Sequence, residues 1–318
     1  DDECLDVDWD KLGFGFMPTD YMYITKSSDA GYFEQGQLNR YENIHLSPSA
    51  GVLNYGQGLF EGTKAYKQDN GSISLFRPHQ FVDAVKQTAL ANKRWIPPSG
   101  KGSLYIRPLL FGSGPTLGLA PAPEYTFLIY ACPVGNYFKE GTTPLNLYVN
   151  EDFHRASRGG AGGVKSITNY APVLQAIRIA RQREFSDVLY LDSVNKRYIE
   201  EVSSCNIFLV KGKVISTPVA RGTILEGVTR KSIMDIAIDI GYQIEERLVE
   251  VDELVSADEV FCTGTAVGVS PVGSITYKGQ RIEYKISSEL ACKKLYSRLV
   301  GIQKRLIEDK RGWIVDIE

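Results

Sequence analysis

Residues 145–172 read LNLYVNEDFHRASRGGAGGVKSITNYAP, and the order of their parts decides how the chain is organised. Leu145–Asn150 has the composition of a strand. Four glycines then fall within residues 159–163, a lysine follows at 165, and a helix is predicted over about Ala171–Glu184. Downstream come the apolar strand Val188–Leu191, hairpins turning near Val194-Asn195-Lys196 and at Lys211-Gly212, and a helix over Gly227–Ile240. That helix has Ile233, Ile236, Ala237 and Ile240 on one side and is stopped by Gly241. A strand over Glu259–Gly264 runs into the turn Gly264–Gly268, and a C-terminal helix is predicted over Glu289–Ile307. Upstream, Asp69-Asn70-Gly71 turns a hairpin, Phe81–Arg94 has helical spacing ended by Pro97-Pro98, and Ser103–Leu110 and Tyr125–Ala131 read as strands. The polar stretch GNYFKEGTT between Pro133 and Pro144 reads as a linker. Antiparallel hairpins mixed with helices predict two α+β domains and not a doubly wound parallel sheet. The expected division is a small N-terminal domain over residues 1–133, a linker over 134–144 and a larger C-terminal domain over 145–318.

The composition narrows the chemistry. With 318 residues, 43% apolar and 23% charged, the chain can bury a sizeable core, which excludes disorder and coiled coil. Lys plus Arg (36) nearly cancels Asp plus Glu (38), so no global field recommends nucleic acid or an anionic membrane as partner. Three histidines (His45, His79, His154) and five cysteines (Cys4, Cys132, Cys205, Cys262, Cys292) are scattered without metal-ligand spacing, so no metal site is expected and the cysteines read as buried, reduced thiols. The longest apolar run, Tyr125–Val134, is too short to span a bilayer. An enzyme of this composition must work through Lys, Arg, Tyr and carboxylates, or through an organic cofactor.

Four stretches carry that chemistry. In RASRGGAGGVKS (155–166) the glycines and lysine invite a P-loop nucleotide-binding reading, but Val164 stands where a P-loop has glycine immediately before the lysine, and no Walker-B strand follows. The bland reading is a glycine-rich surface turn. The third is a reactive amine. A lysine that attacks a carbonyl must shed its proton against an ordinary pKa of about 10.4, which takes an enclosed, cation-lined pocket. Arg155 and Arg158 would supply the cations, and Asn169 and Tyr170 follow at the helix entrance. GTILEGVTR (222–230) opens a helix whose first N–H groups, at Val228 and Thr229, form an anion site. TGTA (263–266) adds a hydroxyl and turn amides, and Arg77 in LFRP (75–78) a guanidinium, so together they could hold one phosphate. In YIEEVSSCNIF (198–208) strand alternation lets only one of Glu200 and Glu201 point into a site, the other facing solvent or a helix. A carboxylate buried beside a ring nitrogen would keep that nitrogen protonated.

Together with GVLNYGQGLFEGTKAY, SLYIRP, YTFLIYACPVG and VFCTGTAVG, these stretches resemble the class IV pyridoxal-phosphate aminotransferases, and more narrowly the plant-type branched-chain amino-acid aminotransferases. The likeness spans nearly the whole chain. It implies the fold type IV pyridoxal-enzyme fold, a small N-terminal α/β domain plus a larger C-terminal domain with a barrel-like sheet, pyridoxal 5'-phosphate bound between them, and a homodimer. It implies amino transfer between leucine, isoleucine or valine and 2-oxoglutarate. Lys165 matches the lysine that forms the Schiff base and moves the proton between Cα and the cofactor's C4′. Glu201 rather than Glu200 matches the partner of the ring nitrogen, and Tyr170 the donor to the phenolic oxygen. Ser204 matches a supporting hydroxyl. Arg77, Arg155, Val228, Thr229 and Thr265 match the phosphate cup, with Leu225 on the ring. Phe14, Tyr55, Phe60, Tyr105 and Tyr137 match an aromatic substrate pocket, Arg107 the acceptor of a distal carboxylate, and Ala266 an amide near the α-carboxylate. Tyr55 and Leu119 match residues that reach the partner subunit's site.

The chain departs from that pattern in three places. Val267 and Ser270 stand where vertebrate relatives carry a redox CxxC, so thiol regulation is not expected there. At the join after Gln80 relatives carry about twenty more residues, which puts the setting of Arg77 and full activity in question and keeps a weakly active paralogue in view. Glu226 occupies a place that is often proline or glycine. A D-amino-acid aminotransferase or an aminodeoxychorismate lyase is the alternative within the class. The chain starts at Asp1 without a methionine, which is consistent with a leader removed before this point; the resemblance points to the chloroplast, then to the mitochondrion and the cytosol.

Overall fold

The computed structural model describes residues 5–27, 31–78, 82–135 and 143–317. The chain divides into two compact units, Asp1–Lys139 with Ile302–Glu318, and Glu140–Gly301.

The first unit is an antiparallel sheet with a helix on it. Its strands are β1 (Tyr21–Ser27), β2 (Gln37–Arg40), β3 (Gly58–Phe60), β4 (Thr63–Lys67), β5 (Ile73–Phe76), β6 (Ser103–Gly112) and β7 (Tyr125–Val134); the short helix α1 (Gly51–Tyr55) precedes β3 and α2 (Val82–Ala91) follows β5. The predicted hairpin is β4–β5, and the strands foreseen at 103 and 125 are β6 and β7, which run side by side over ten residues. Val85, Thr88 and Ala89 form the buried stripe of α2. Val85 and Ala89 pack with Leu75, Leu104, Ile106, Phe127, Ile129 and Ala131 of the sheet. The chain's last strand, Ile314–Ile317, pairs antiparallel with β5, its Ile317 in the same core. The sequence reading places those residues in the larger domain. A short β-prone segment after a helix carries no local mark of the distant edge it will pair with.

The second unit is a mixed sheet. Its strands are β8 (Leu145–Asn150), β9 (Asp187–Leu191), β10 (Ile199–Val202), β11 (Asn206–Lys211), β12 (Val214–Pro218), β13 (Gln243–Arg247), β14 (Glu259–Gly264), β15 (Gly268–Tyr277) and β16 (Gln280–Glu283), in the order β10-β9-β8-β15-β14-β11-β12-β13 with β16 on β15. Three pairs are parallel, β8 with β9, β8 with β15 and β12 with β13; the others are antiparallel. Helices α3 (Val173–Gln182), α4 (Val228–Asp239) and α5 (Ala291–Gln303) fall where the periodicity predicted them. Val173, Ala176 and Ala180 of α3 pack on Val188 and Tyr190 of β9. Gly241 ends α4 at φ 85°, a conformation that suits glycine. Every residue of β9 and β10 is buried, so these strands are covered on both faces, although β10 stands at the end of the strand order. Cys132, Cys205, Cys262 and Cys292 are buried free thiols.

Candidate active site

The glycine loop has a backbone reason for its composition. A Cβ at Gly162 would come 2.7 Å from the Thr223 carbonyl oxygen, and one at Gly163 would come 3.0 Å from the Gly222 Cα. The loop lies backbone on backbone against residues 222–223, an approach that glycine alone permits. Asn169 ties it from the other side, its Nδ2 donating to the carbonyls of Ala161 and Val164 at 2.8 Å each. Lys165 leaves this clamped loop with its Nζ donating to the Tyr170 hydroxyl at 3.4 Å.

Glu201 is 2% exposed. Its Oε1 lies 2.8 Å from Arg155 Nη1 and accepts the Leu225 N–H at 2.9 Å, and its Oε2 accepts from Asn206 Nδ2 at 3.4 Å. Burial pushes the carboxyl from its ordinary 4.5 to about 7, against the pull of Arg155, the Leu225 N–H and the Lys165 charge, while Glu200 pushes the same way as burial. Lys165 and Glu201 are thus within electrostatic reach of each other. Glu200 is also buried, and burial raises its carboxyl too, with Thr223 donating to it. Burial of Glu200 removes the solvent-facing alternative, since every residue of β10 is buried and its register slips between Ile199 and Val202.

From Leu225 the chain runs directly into an anion-ready helix start. Asn206 Nδ2 also donates to the Leu225 carbonyl at 2.8 Å, holding the approach to α4. The N-cap of α4 is Gly227, which offers no side-chain acceptor to the first-turn amides of Val228 and Thr229. A Cβ at Gly227 would stand 2.5 Å from Asn206 Oδ1. Thr265 and Ala266 form the turn between β14 and β15, closed by the pair Gly264 and Gly268. Ser204 is a neighbour of that turn, its carbonyl oxygen 3.7 Å from where a Cβ on Gly264 would be.

Arg155 and Arg77, both read as phosphate ligands, are engaged differently. Arg155 is committed to Glu201, with its Nε donating to the Ser203 carbonyl and its Nη1 to the Thr223 carbonyl, each at 3.4 Å. Arg77, at φ 46°, lays its guanidinium 4.6 Å from the Trp313 ring centre and donates its N–H to the Trp313 carbonyl at 2.7 Å. Arg77 and Trp313 both belong to the first unit.

The first unit gathers four of the expected substrate residues. Phe14 meets Tyr105 edge to face with ring centres 5.2 Å apart. The Arg107 guanidinium lies 4.7 Å from the Phe60 ring centre and 5.2 Å from that of Tyr105, and its Nη2 donates to the Tyr105 hydroxyl at 3.3 Å. Tyr55 donates to the Leu117 carbonyl, and Leu119 is 87% exposed. Tyr137 lies outside the described residues. Asn206, Thr223 and Ser203 have no assigned role in the sequence reading. Asn206 has a signal, its place in the EEVSSCN stretch; Thr223 and Ser203 have none, because no local pattern shows that their carbonyls meet Arg155 or that their hydroxyls reach the distant acids.

Comparison with known families matches residues 59–275 to the amino-transferase class IV model. The chain belongs to that family and is an aminotransferase. Among its relatives it is 64% identical to the Arabidopsis thaliana branched-chain-amino-acid aminotransferase 2, chloroplastic, covering 100% of this chain and 87% of that protein. It is 60% identical to the Humulus lupulus branched-chain amino acid aminotransferase 1, mitochondrial, covering 99% and 86%. The branched-chain aminotransferase of the thermophilic archaeon Thermoproteus uzoniensis, solved with norvaline, matches at a TM-score of 0.77 and 25% identity, over 93% of this chain and 100% of that one. The Arabidopsis match runs over 338 residues against a chain of 318, twenty more, so that relative carries about that many residues this chain lacks. The join where they were expected, after Gln80, lies at residues 79–81, outside the described ones.

Proposed function

We propose that this chain is a pyridoxal 5'-phosphate-dependent transaminase that moves the amino group between leucine, isoleucine or valine and 2-oxoglutarate, working as a homodimer. The reading rests on one arrangement in the second unit: a buried carboxyl, Glu201, within the field of Lys165, with the uncapped N-terminus of α4 two residues beyond its Leu225 contact. That donor set fits a phosphorylated pyridine aldehyde, which needs an amine for its carbonyl, an acid for its ring nitrogen and amides for its phosphate. Bound pyridoxal phosphate would supply an electron sink for the pair released at the substrate's Cα. The chain's own residues do the rest. Glu201 holds a proton at the ring nitrogen, and Arg155 with the Leu225 N–H keeps that carboxyl aimed. Tyr170 donates to the phenolic oxygen, and Lys165 Nζ carries the proton at Cα. The amides of Val228 and Thr229 and the Thr265 hydroxyl take the phosphate. Phe14, Phe60 and Tyr105 offer an apolar wall to a branched side chain, and Arg107 a charge to the distal carboxylate of 2-oxoglutarate. The names of the relatives favour a plastid or mitochondrial site of action.

The test is spectroscopic. Purified protein supplied with pyridoxal phosphate is expected to show a visible absorbance band that L-leucine bleaches and that Lys165→Ala abolishes. A colourless wild-type protein after reconstitution would refute the reading, and bleaching by D-amino acids alone would move it to another enzyme of the class.

A further inference from the structure

Behind the Arg155–Glu201 pair lies a buried acid that none of the roles above employs. Asp187 opens β9 and is 5% exposed. Its Oδ1 accepts the Ser203 hydroxyl at 2.5 Å and the Val188 N–H at 2.7 Å. Ser203, 2% exposed, sits in the bend after β10, and its carbonyl is the acceptor for Arg155 Nε. The bend is closed by the Val202 N–H donating to the Cys205 carbonyl. The contacts therefore form one unbroken line through the protein interior: Asp187 to Ser203, Ser203 to Arg155, Arg155 to Glu201.

We propose that Asp187 is a positioning residue for the ring-nitrogen site, acting through Ser203 to fix the bend that aims Arg155 at Glu201. The proposal rests on the functional reading above. A core position at the edge of the α3–β9 cluster, beside Val188, would be cheaper to fill with an apolar side chain, since a buried carboxyl costs free energy unless its hydrogen bonds return it. What Asp187 gains is a strong acceptor for Ser203, and a charge-assisted bond of this kind orients its donor more sharply than a neutral one. The orientation is transmitted because the bend is short and Arg155 is itself buried, so a rotated Ser203 carbonyl would strip Arg155 of an acceptor that no water replaces. Burial raises Asp187 to about 6, so it is ionised above neutrality. The groups facing it are Arg181 from α3, Tyr190 on its own strand and Cys262 of β14, besides Ser203.

The test compares the wild-type holoenzyme with Asp187→Asn and Ser203→Ala, measuring pyridoxal phosphate half-saturation by fluorescence, the pH midpoint of the visible band, and kcat and KM for leucine. Wild type must first show the band; its absence would overturn the functional reading and this inference together. With the band present, the inference expects both variants to form it, to need about tenfold more pyridoxal phosphate, to shift its pH midpoint, and to lose about tenfold in kcat while the leucine KM stays within about twofold. Variants that melt earlier but keep the wild-type half-saturation, pH midpoint and kcat would make Asp187 a purely structural residue and overturn the proposal. Should Asp187→Asn fail to fold, Ser203→Ala, which removes no charge, decides alone by the same readouts.

Discussion

The two clusters of functional side chains are built on opposite principles. In the first unit Phe14, Phe60, Tyr105 and Arg107 meet through ring edges, ring faces and one hydroxyl, at separations of 3.3 to 5.2 Å. Contacts of that kind contribute about 0.5–1.5 kcal/mol each and degrade gradually when one is lost. In the second unit Arg155 and Glu201 are an ion pair whose side chains are 1% and 2% exposed. Removing one member of such a pair leaves a buried charge and costs about 3–5 kcal/mol. A cluster held by such contacts, under the proposed function a wall for a hydrocarbon side chain, can be retuned residue by residue. The Arg155–Glu201 pair, which under the proposed function holds a proton on a ring nitrogen, cannot be, because its members answer for one another's charge.

That contrast can be broken by experiment. The largest effect is expected at Glu201→Gln, which keeps the shape and removes the charge: kcat should fall by about 10²–10³ in a steady-state assay. The same variant carries a pH signature. Glu201 titrates near 7 in the folded chain against an ordinary 4.5, so the folded state binds the extra proton between those values and stability falls as pH rises through the window. Melting of ligand-free protein at about pH 5 and about pH 7.5 should therefore show a smaller difference for Glu201→Gln than for wild type; an unchanged difference would mean Glu201 is already ionised at the lower pH. Arg107→Met should be intermediate, raising KM for 2-oxoglutarate about tenfold or more with the leucine KM nearly unchanged, since only the dicarboxylate uses the cation. If both KM values rise together, Arg107 serves the aromatic wall and not the carboxylate. The smallest effect belongs to Lys231→Ala. Lys231 lies 2.7 Å from Glu226, with both side chains about half exposed, and thermal unfolding should register less than about 1 kcal/mol. This pair also accounts for the acid at 226, which the sequence left without a role.

The parts legible in the sequence share a local cause. The β4–β5 hairpin, the α4 helix with its Gly241 stop and the glycine loop before Lys165 are each announced by residues within a few positions of one another. The uncapped start of α4 was legible for the same reason. Less legible was anything decided by a distant neighbour. The last strand, Ile314–Ile317, chooses β5 across more than two hundred residues, and Arg77 is drawn to Trp313 by that pairing. For Glu200 the sequence left solvent and a helix both open, and only the folded sheet shows it buried.

What the sequence by itself determined is the inventory and its spacing: one lysine after a glycine run, a pair of acids on a strand, a glycine-led helix start and an aromatic-rich first third. Local periodicity and turn chemistry suffice for that, since they act over a few residues. Only the tertiary structure decided who answers to whom. It paired Arg155 with Glu201, buried both acids of β10, and set Asp187 behind Ser203. These are consequences of desolvation, which depends on what the whole sheet excludes from water and on no single stretch of chain.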